Sequence, residues 1–207
     1  MKAFSMREPI EFGWRTFQER PWFFVGMTAG TLFLFWMLSS IADGQKGDDA
    51  GAFIVGLATT ILALVIEIVL MNWALKAHDD VREVTVAYGW SRIPFWPYLG
   101  VKLASAGIVI LGLILLVVPG IIAALALMFS SYLVLDKGMM PLAALKESAR
   151  LTKGHRLQLL GLMALIVLMN IAGMLVFFVG VFVTAPVSML AMVHAYRMLE
   201  TAAPHHG

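Results

Sequence analysis

Four polar side chains fall inside or at the edges of strongly apolar segments, and they are the first candidates for chemistry. They are Glu67, Asn72, Lys102 and Arg197. A charged side chain at the centre of a membrane helix costs about 2.5–3.5 kcal/mol on insertion scales, so each such residue is a functional candidate by default. Glu67 lies at a depth that the long side chains of Lys102 or Arg197 can reach. We therefore predict an intramembrane ion pair at Glu67.

Two interpretations of this cluster stay open. In the structural one, Lys102 and Arg197 extend to lipid phosphates while Glu67 is hydrogen-bonded inside the bundle. In the functional one, Glu67 is the coupling group of a small transporter or lipid flippase. A coupled site normally shows several ionisable groups along a path, and the other apolar segments offer few. This scarcity argues against transport.

No other pattern predicts a catalytic residue, a cofactor or a metal site. His78-Asp79-Asp80 is contiguous and lacks the ligand spacing of zinc sites, so we assign it to a solvated connector. Nucleophile elbows, phosphate-binding loops and zinc-protease motifs do not occur in the sequence, and the lack of cysteine excludes disulfides and thiolate metal ligands. We predict a protein that is not an enzyme, with an interfacial lipid-active enzyme using Glu67, His78 or Asp79 as the third alternative.

The segments that carry these residues are apolar enough to span a membrane. Hydrophobic residues make up 60% of the chain and charged residues 14%, against about 45–50% and about 25% in soluble domains. The surplus apolar surface must face lipid, and a span needs about 20 residues. The sequence predicts a single all-α membrane domain (1–207) with six transmembrane helices, at 21–41, 52–74, 98–118, 120–136, 157–179 and 181–199.

The distribution of basic residues predicts the topology. The apolar run from Leu99 to Leu135 is too long for one span, so Pro119 and Gly120 are assigned to a hairpin turn. With that turn, fourteen of the fifteen Lys and Arg residues fall on one side, and only Lys46 falls on the other. Basic loops stay in the cytoplasm. We predict three hairpins with both termini cytoplasmic.

Three connecting segments have the pattern of amphipathic helices on the cytoplasmic membrane surface, most weakly in the second, and a solvated connecting helix is the alternative for each. They cover residues 9–20, 81–92 and 141–153, and each precedes one hairpin, which suggests pseudo-repeats at 8–74, 81–136 and 141–200. Convergent hydrophobic composition is the alternative explanation of these repeats. Residues 201–207 are predicted to be a flexible tail. The residues predicted to contact lipid headgroups are Arg15, Arg20, Lys146, Arg150, Lys153 and Arg156.

Two further features concern helix packing. Gly26 and Gly30 have the small-residue spacing that lets two membrane helices approach closely, either inside the monomer or in an oligomer. Asn170 is the polar residue of the fifth span, and we predict that it makes an interhelical hydrogen bond.

Several motifs together resemble a known family. They are Phe12-Gly13-Trp14-Arg15-Thr16-Phe17 before the first span, Val118-Pro119-Gly120-Ile121, the segment from Ala144 to Gly154, and Tyr196-Arg197 at the end of the sixth span. Their order resembles a poorly characterised family of bacterial inner-membrane proteins that includes the membrane domain sometimes fused to glycerophosphodiester phosphodiesterases. The resemblance covers most of the chain and implies a six-helix protein of the bacterial inner membrane, without the phosphodiesterase domain.

The sequence favours a non-enzymatic membrane module that assembles with a protein partner or organises lipid. The expected partners are anionic lipid headgroups, with a membrane protein or a second copy of the chain as the alternative. The formal charge of +2 follows from the basic cytoplasmic loops, so we predict no nucleic-acid partner.

Overall fold

The computed structural model describes residues 7–43, 49–175 and 179–202. These residues contain no strand, and six of their segments are long and apolar enough to cross a membrane. The helices are α1 (Arg7–Glu19), α2 (Pro21–Asp43), α3 (Asp49–Asp79), α4 (Val86–Trp90), α5 (Phe95–Leu115), α6 (Val117–Leu127), α7 (Ser130–Lys137), α8 (Pro141–Leu151), α9 (Arg156–Leu175) and α10 (Val181–Ala202). The protein is therefore an all-helical, multi-pass membrane protein.

The observed helices match the six predicted spans, with shifted ends. The largest shift is in α3, whose 31 residues extend over about 46 Å, well beyond the roughly 30 Å of hydrocarbon. Thr201 and Ala202, assigned to a flexible tail, instead continue α10. The rest of that tail, 203–207, and the loop that contains Lys46 lie outside the described residues.

The chain leaves α5 at Leu116, three residues before the predicted turn. Leu116 has extended backbone angles (φ −167°, ψ 147°) between α5 and α6. Pro119 and Gly120 lie in the first turns of α6, so their assignment as the turn residues is wrong. Proline is tolerated there because the first amide groups of a helix have no intrahelical acceptor. Gly120 instead allows close packing, since a Cβ on Gly112 would lie 2.9 Å from its Cα.

The fourth span is interrupted between α6 and α7. Side chains of α8 form hydrogen bonds with the backbone groups that the interruption leaves free. The Phe129 amide donates to Ser148 Oγ at 3.2 Å, and the Ser148 hydroxyl donates to the Ala126 carbonyl at 2.8 Å. Ser148 and Thr152 are fully buried. Free backbone groups inside a membrane protein need such partners, so α8 is fixed against the bundle rather than resting on its surface.

The first amphipathic helix also packs on protein. A Cβ on Gly13 would lie 2.5 Å from the Val187 carbonyl oxygen of α10, so the two backbones are in direct contact. Thr16 and Phe17 are buried as well. The expectation that this face lies on lipid is therefore wrong for these residues. Trp14 of the same helix is 45% exposed.

Burial is concentrated at one end of the bundle. We call this the basic end, because fourteen of the fifteen Lys and Arg residues are assigned to this side. It is the end at which Asp79 of α3, Asp136 of α7 and Arg197 of α10 meet. Most of the buried hydrophobic residues of α2, α3 and α5 lie in the halves next to it, including Phe24, Ile68 and Tyr98. The opposite halves are largely exposed, with Phe33, Trp36, Phe53, Ile54, Leu111 and Ile114 among the exposed residues.

Candidate functional site

The structure brings Glu67 and Lys102 together. Lys102 Nζ donates to Glu67 Oε1, which joins α3 to α5. The two side chains are 41% and 37% exposed, so the pair lies at the flank of the bundle and not in a sealed interior. Asn72 is not part of it: its amide donates to the carbonyls of Gly89 (3.1 Å) and Arg92 (2.8 Å) and holds the connector beside α3.

Tyr98 belongs to the same cluster, and the sequence analysis missed it. Its ring lies 5.5 Å from Lys102 Nζ. Its hydroxyl is fully buried. The sequence spacing could have predicted this contact, because Tyr98 is four residues before Lys102 and therefore lies on the same face of the helix.

Arg197 does not contact Glu67, so that part of the prediction is wrong. Arg197 binds Asp136 with two nitrogens, at 2.9 Å and 3.0 Å, and also contacts Glu200 (3.2 Å) and Asp79 (3.4 Å). The reason is geometric: the last turns of α3, α7 and α10 meet at the basic end, where these carboxylates lie closer than the mid-helix Glu67.

Two histidines extend this polar network. His78 Nε2 lies 3.1 Å from His194 Nδ1, and the ring of Phe12 stacks on His194 with centroids 4.3 Å apart. His78 was predicted to belong to a solvated connector, yet it lies in α3 and contacts α10. Within the described residues, no group of three or more His, Cys, Asp or Glu side chains is arranged to hold a metal ion.

Half of the predicted headgroup residues already have protein partners. Arg20 donates to the carbonyls of Val81 (3.3 Å), Arg82 (3.4 Å) and Val84 (2.9 Å). Arg15 lies 3.8 Å from Glu11.

Arg150 forms two hydrogen bonds with Glu147, which lower the pKa of that carboxyl. By contrast, the side chains of Lys146, Lys153 and Arg156 have no ion-pair partner among the residues that the structure describes. Lys146 is exposed on the free face of α8, and Lys153 is exposed in the turn that follows this helix.

Asn170 connects α9 to α10. Its amide nitrogen donates to Ser188 Oγ at 2.7 Å, and its carbonyl oxygen accepts from Thr184 Oγ1 at 3.1 Å. No described heavy atom lies within 4 Å of a Cβ built on Gly26 or Gly30. Of the two alternatives, close packing inside the monomer is therefore not found among the described residues.

The two glycines line an apolar groove instead. The groove has a volume of about 500 Å³ and lies between α2, α3 and α4. Its walls are Trp22, Phe23, Gly26, Met27, Gly30, Thr31, Leu34, Ile66, Val69, Leu70, Trp73, Val86 and Trp90. Glu67 is not among them.

Comparison of the chain with protein-family models, curated proteins and solved structures finds no match.

Proposed function

We propose that this protein is a non-enzymatic module of the bacterial inner membrane, which binds anionic lipid at its basic end and assembles or organises other membrane components. Its six spans form three hairpins, and both termini face the cytoplasm. The proposal agrees with the family that the sequence resembles, whose members are inner-membrane proteins. The basic end then lies at the cytoplasmic leaflet.

The observation that carries the proposal is the division of α8 into two faces. Ser148 and Thr152 fix one face to the break in the fourth span. The other face exposes Lys146, and Lys153 is exposed in the turn directly after the helix. Exposed Leu142 precedes Lys146 by one turn. A fixed helix with free cations and an apolar residue on one face suits the boundary between acyl chains and phosphates.

We expect the variant Lys146→Gln/Lys153→Gln to lose its preference for anionic lipid. Each cation near the surface contributes about 1 kcal/mol, so losing two weakens the preference roughly 30-fold. The measurement is native mass spectrometry of the protein equilibrated with equal amounts of phosphatidylglycerol and phosphatidylcholine, which counts each lipid bound.

The matched control is Glu147→Gln/Arg150→Gln on the same helix. It removes one charge of each sign from a pair that is already hydrogen-bonded, so the net charge and the lipid preference should stay nearly constant. A folded Lys146→Gln/Lys153→Gln protein with unchanged preference for phosphatidylglycerol would refute the lipid part of the proposal.

The topology has its own test, because the native chain contains no cysteine. We expect Arg15→Cys and Lys146→Cys to be protected from a membrane-impermeant maleimide in intact spheroplasts and labelled after lysis. Ala50→Cys, at the other end of the bundle, should be labelled before lysis. Labelling of Arg15→Cys and Lys146→Cys from opposite compartments would contradict both the three hairpins and the cytoplasmic termini.

A further inference from the structure

Gly26 and Gly30 face open space, and nothing within the described chain explains them. Glycine in a helix is about 1 kcal/mol less favourable than alanine, and small residues in membrane helices normally allow a close neighbour. Here a Cβ at either position would meet no atom within 4 Å. The glycines therefore keep a channel open along α2 for something outside this chain.

The length and volume of the groove suit one acyl chain of a lipid. From Trp22 to Leu34 the groove follows α2 for about 18 Å, close to the roughly 15 Å of one leaflet's hydrocarbon. A volume of about 500 Å³ over that length leaves room for a polymethylene chain of a phospholipid, and the largely apolar side chains of the walls match such a chain.

The residues around the mouth of the groove suit the headgroup of a phospholipid. The mouth lies at the basic end, where the lining residues Trp22 and Trp90 are 85% and 52% exposed, as expected of indoles at a membrane interface. The guanidinium of Arg20 lies 5.1 Å from the ring of the lining residue Phe23, and only its Nη1 is engaged by carbonyls.

The connector that carries Arg82 is attached here, because Arg20 Nη1 donates to the backbone carbonyl of Arg82 at 3.4 Å, and Arg82 itself is exposed. On the same connector Glu83 is paired with Lys76, and Asp80 accepts a hydrogen bond from the Arg82 amide. Arg20 and Arg82 are the basic residues that this part of the chain offers to a phosphate.

We propose that this groove binds one acyl chain of an anionic phospholipid of the cytoplasmic leaflet, with the phosphate at Arg20 and Arg82. Trp73 forms the wall beside Phe23 near the mouth, with ring centroids 5.8 Å apart, and its indole N–H donates to the Thr85 carbonyl at 3.0 Å. The inference rests on the proposed topology, which assigns the basic end to the cytoplasm. It adds a second lipid site, separate from α8, in which the chain of the lipid is recognised as well as its charge.

The test fills the groove without disturbing the fold. We expect Gly26→Leu/Gly30→Leu to fold at least as well as the wild type, because both side chains enter empty space, and to retain about ten-fold less phosphatidylglycerol in native mass spectra. The matched control is Gly56→Leu/Gly107→Leu, since these glycines of α3 and α5 are equally open and do not line the groove. The control should keep the lipid.

The headgroup is tested separately. Arg82→Gln should reduce the preference for phosphatidylglycerol over phosphatidylcholine about five-fold, while Arg92→Gln, on the far side of α4, should not. Unchanged lipid retention in Gly26→Leu/Gly30→Leu would overturn the proposal. So would a change from dimer to monomer with no lipid lost, which would assign the groove to a second copy of the chain.

A second measurement works in the bilayer itself. With the other five tryptophans replaced by Phe, the fluorescence of Trp73 should be quenched by phosphatidylglycerol brominated near the carboxyl end of its acyl chain. Gly26→Leu/Gly30→Leu should remove that quenching, and persistent quenching in this variant would contradict the groove site. If these experiments contradict the groove site, the proposed lipid site at α8 still stands. Its test depends only on Lys146 and Lys153 and on the charge of the headgroup.

Discussion

Arg197→Met is expected to lower the free energy of unfolding by about 3–5 kcal/mol, the cost of removing one partner from a buried ion pair. Its main partner, Asp136, is only 16% exposed and also accepts a hydrogen bond from Tyr196 at 2.9 Å. Without the guanidinium, that carboxylate has no cation. Reversible unfolding in mixed micelles with increasing dodecyl sulfate, followed by circular dichroism, measures the change.

Two companion variants separate charge from geometry. Arg197→Lys keeps the charge but cannot form the two parallel hydrogen bonds to Asp136, so we expect an intermediate loss. Arg197→Met/Asp136→Asn removes both charges and should recover part of the stability, since Lys137 still pairs with Glu200 at 2.7 Å. A loss below about 1 kcal/mol in Arg197→Met would show that the network is solvated and contributes little.

The spans could be predicted from the sequence, because the length and hydropathy of a membrane helix are local properties. The Arg197 network could not. Arg197, Asp136 and Asp79 are far apart in the chain and become neighbours only because α3, α7 and α10 end at the same place. A depth estimate made separately for each helix placed Arg197 near Glu67, and it had no means of ranking Asp136 as the closer carboxylate.

The amphipathic helices show a second limit of sequence patterns. A stripe of small and apolar residues predicts a buried face, but the pattern is the same whether lipid or protein covers it. In α1, Gly13 distinguishes the two cases, because lipid does not need a glycine and the backbone of α10 does. In α8, Ser148 does so, because its hydroxyl is used by the broken span. Small and hydroxylated residues on such a stripe therefore favour protein contact.

The ion pair between Glu67 and Lys102 gives the second large effect. We expect Lys102→Met to lower the free energy of unfolding by about 2–3 kcal/mol, because it leaves a carboxyl group inside a span without its cation. Glu67→Gln should cost a similar amount, since it leaves Lys102 unpaired above the Tyr98 ring. The double variant Glu67→Gln/Lys102→Met should be close to the wild type, as replacement of a whole ion pair by neutral groups often is.

The double variant also separates a structural pair from a coupling group. If the pair only joins α3 to α5, the double variant is stable and moves fluorescent phosphatidylglycerol between leaflets no faster than the wild type or protein-free liposomes. Transport through Glu67 requires the opposite: the wild type exceeds protein-free liposomes and the stable double variant does not. We expect the first result, because the groove described above is apolar, leads along α2 and does not include Glu67. A headgroup would therefore have no polar route to the opposite leaflet along it.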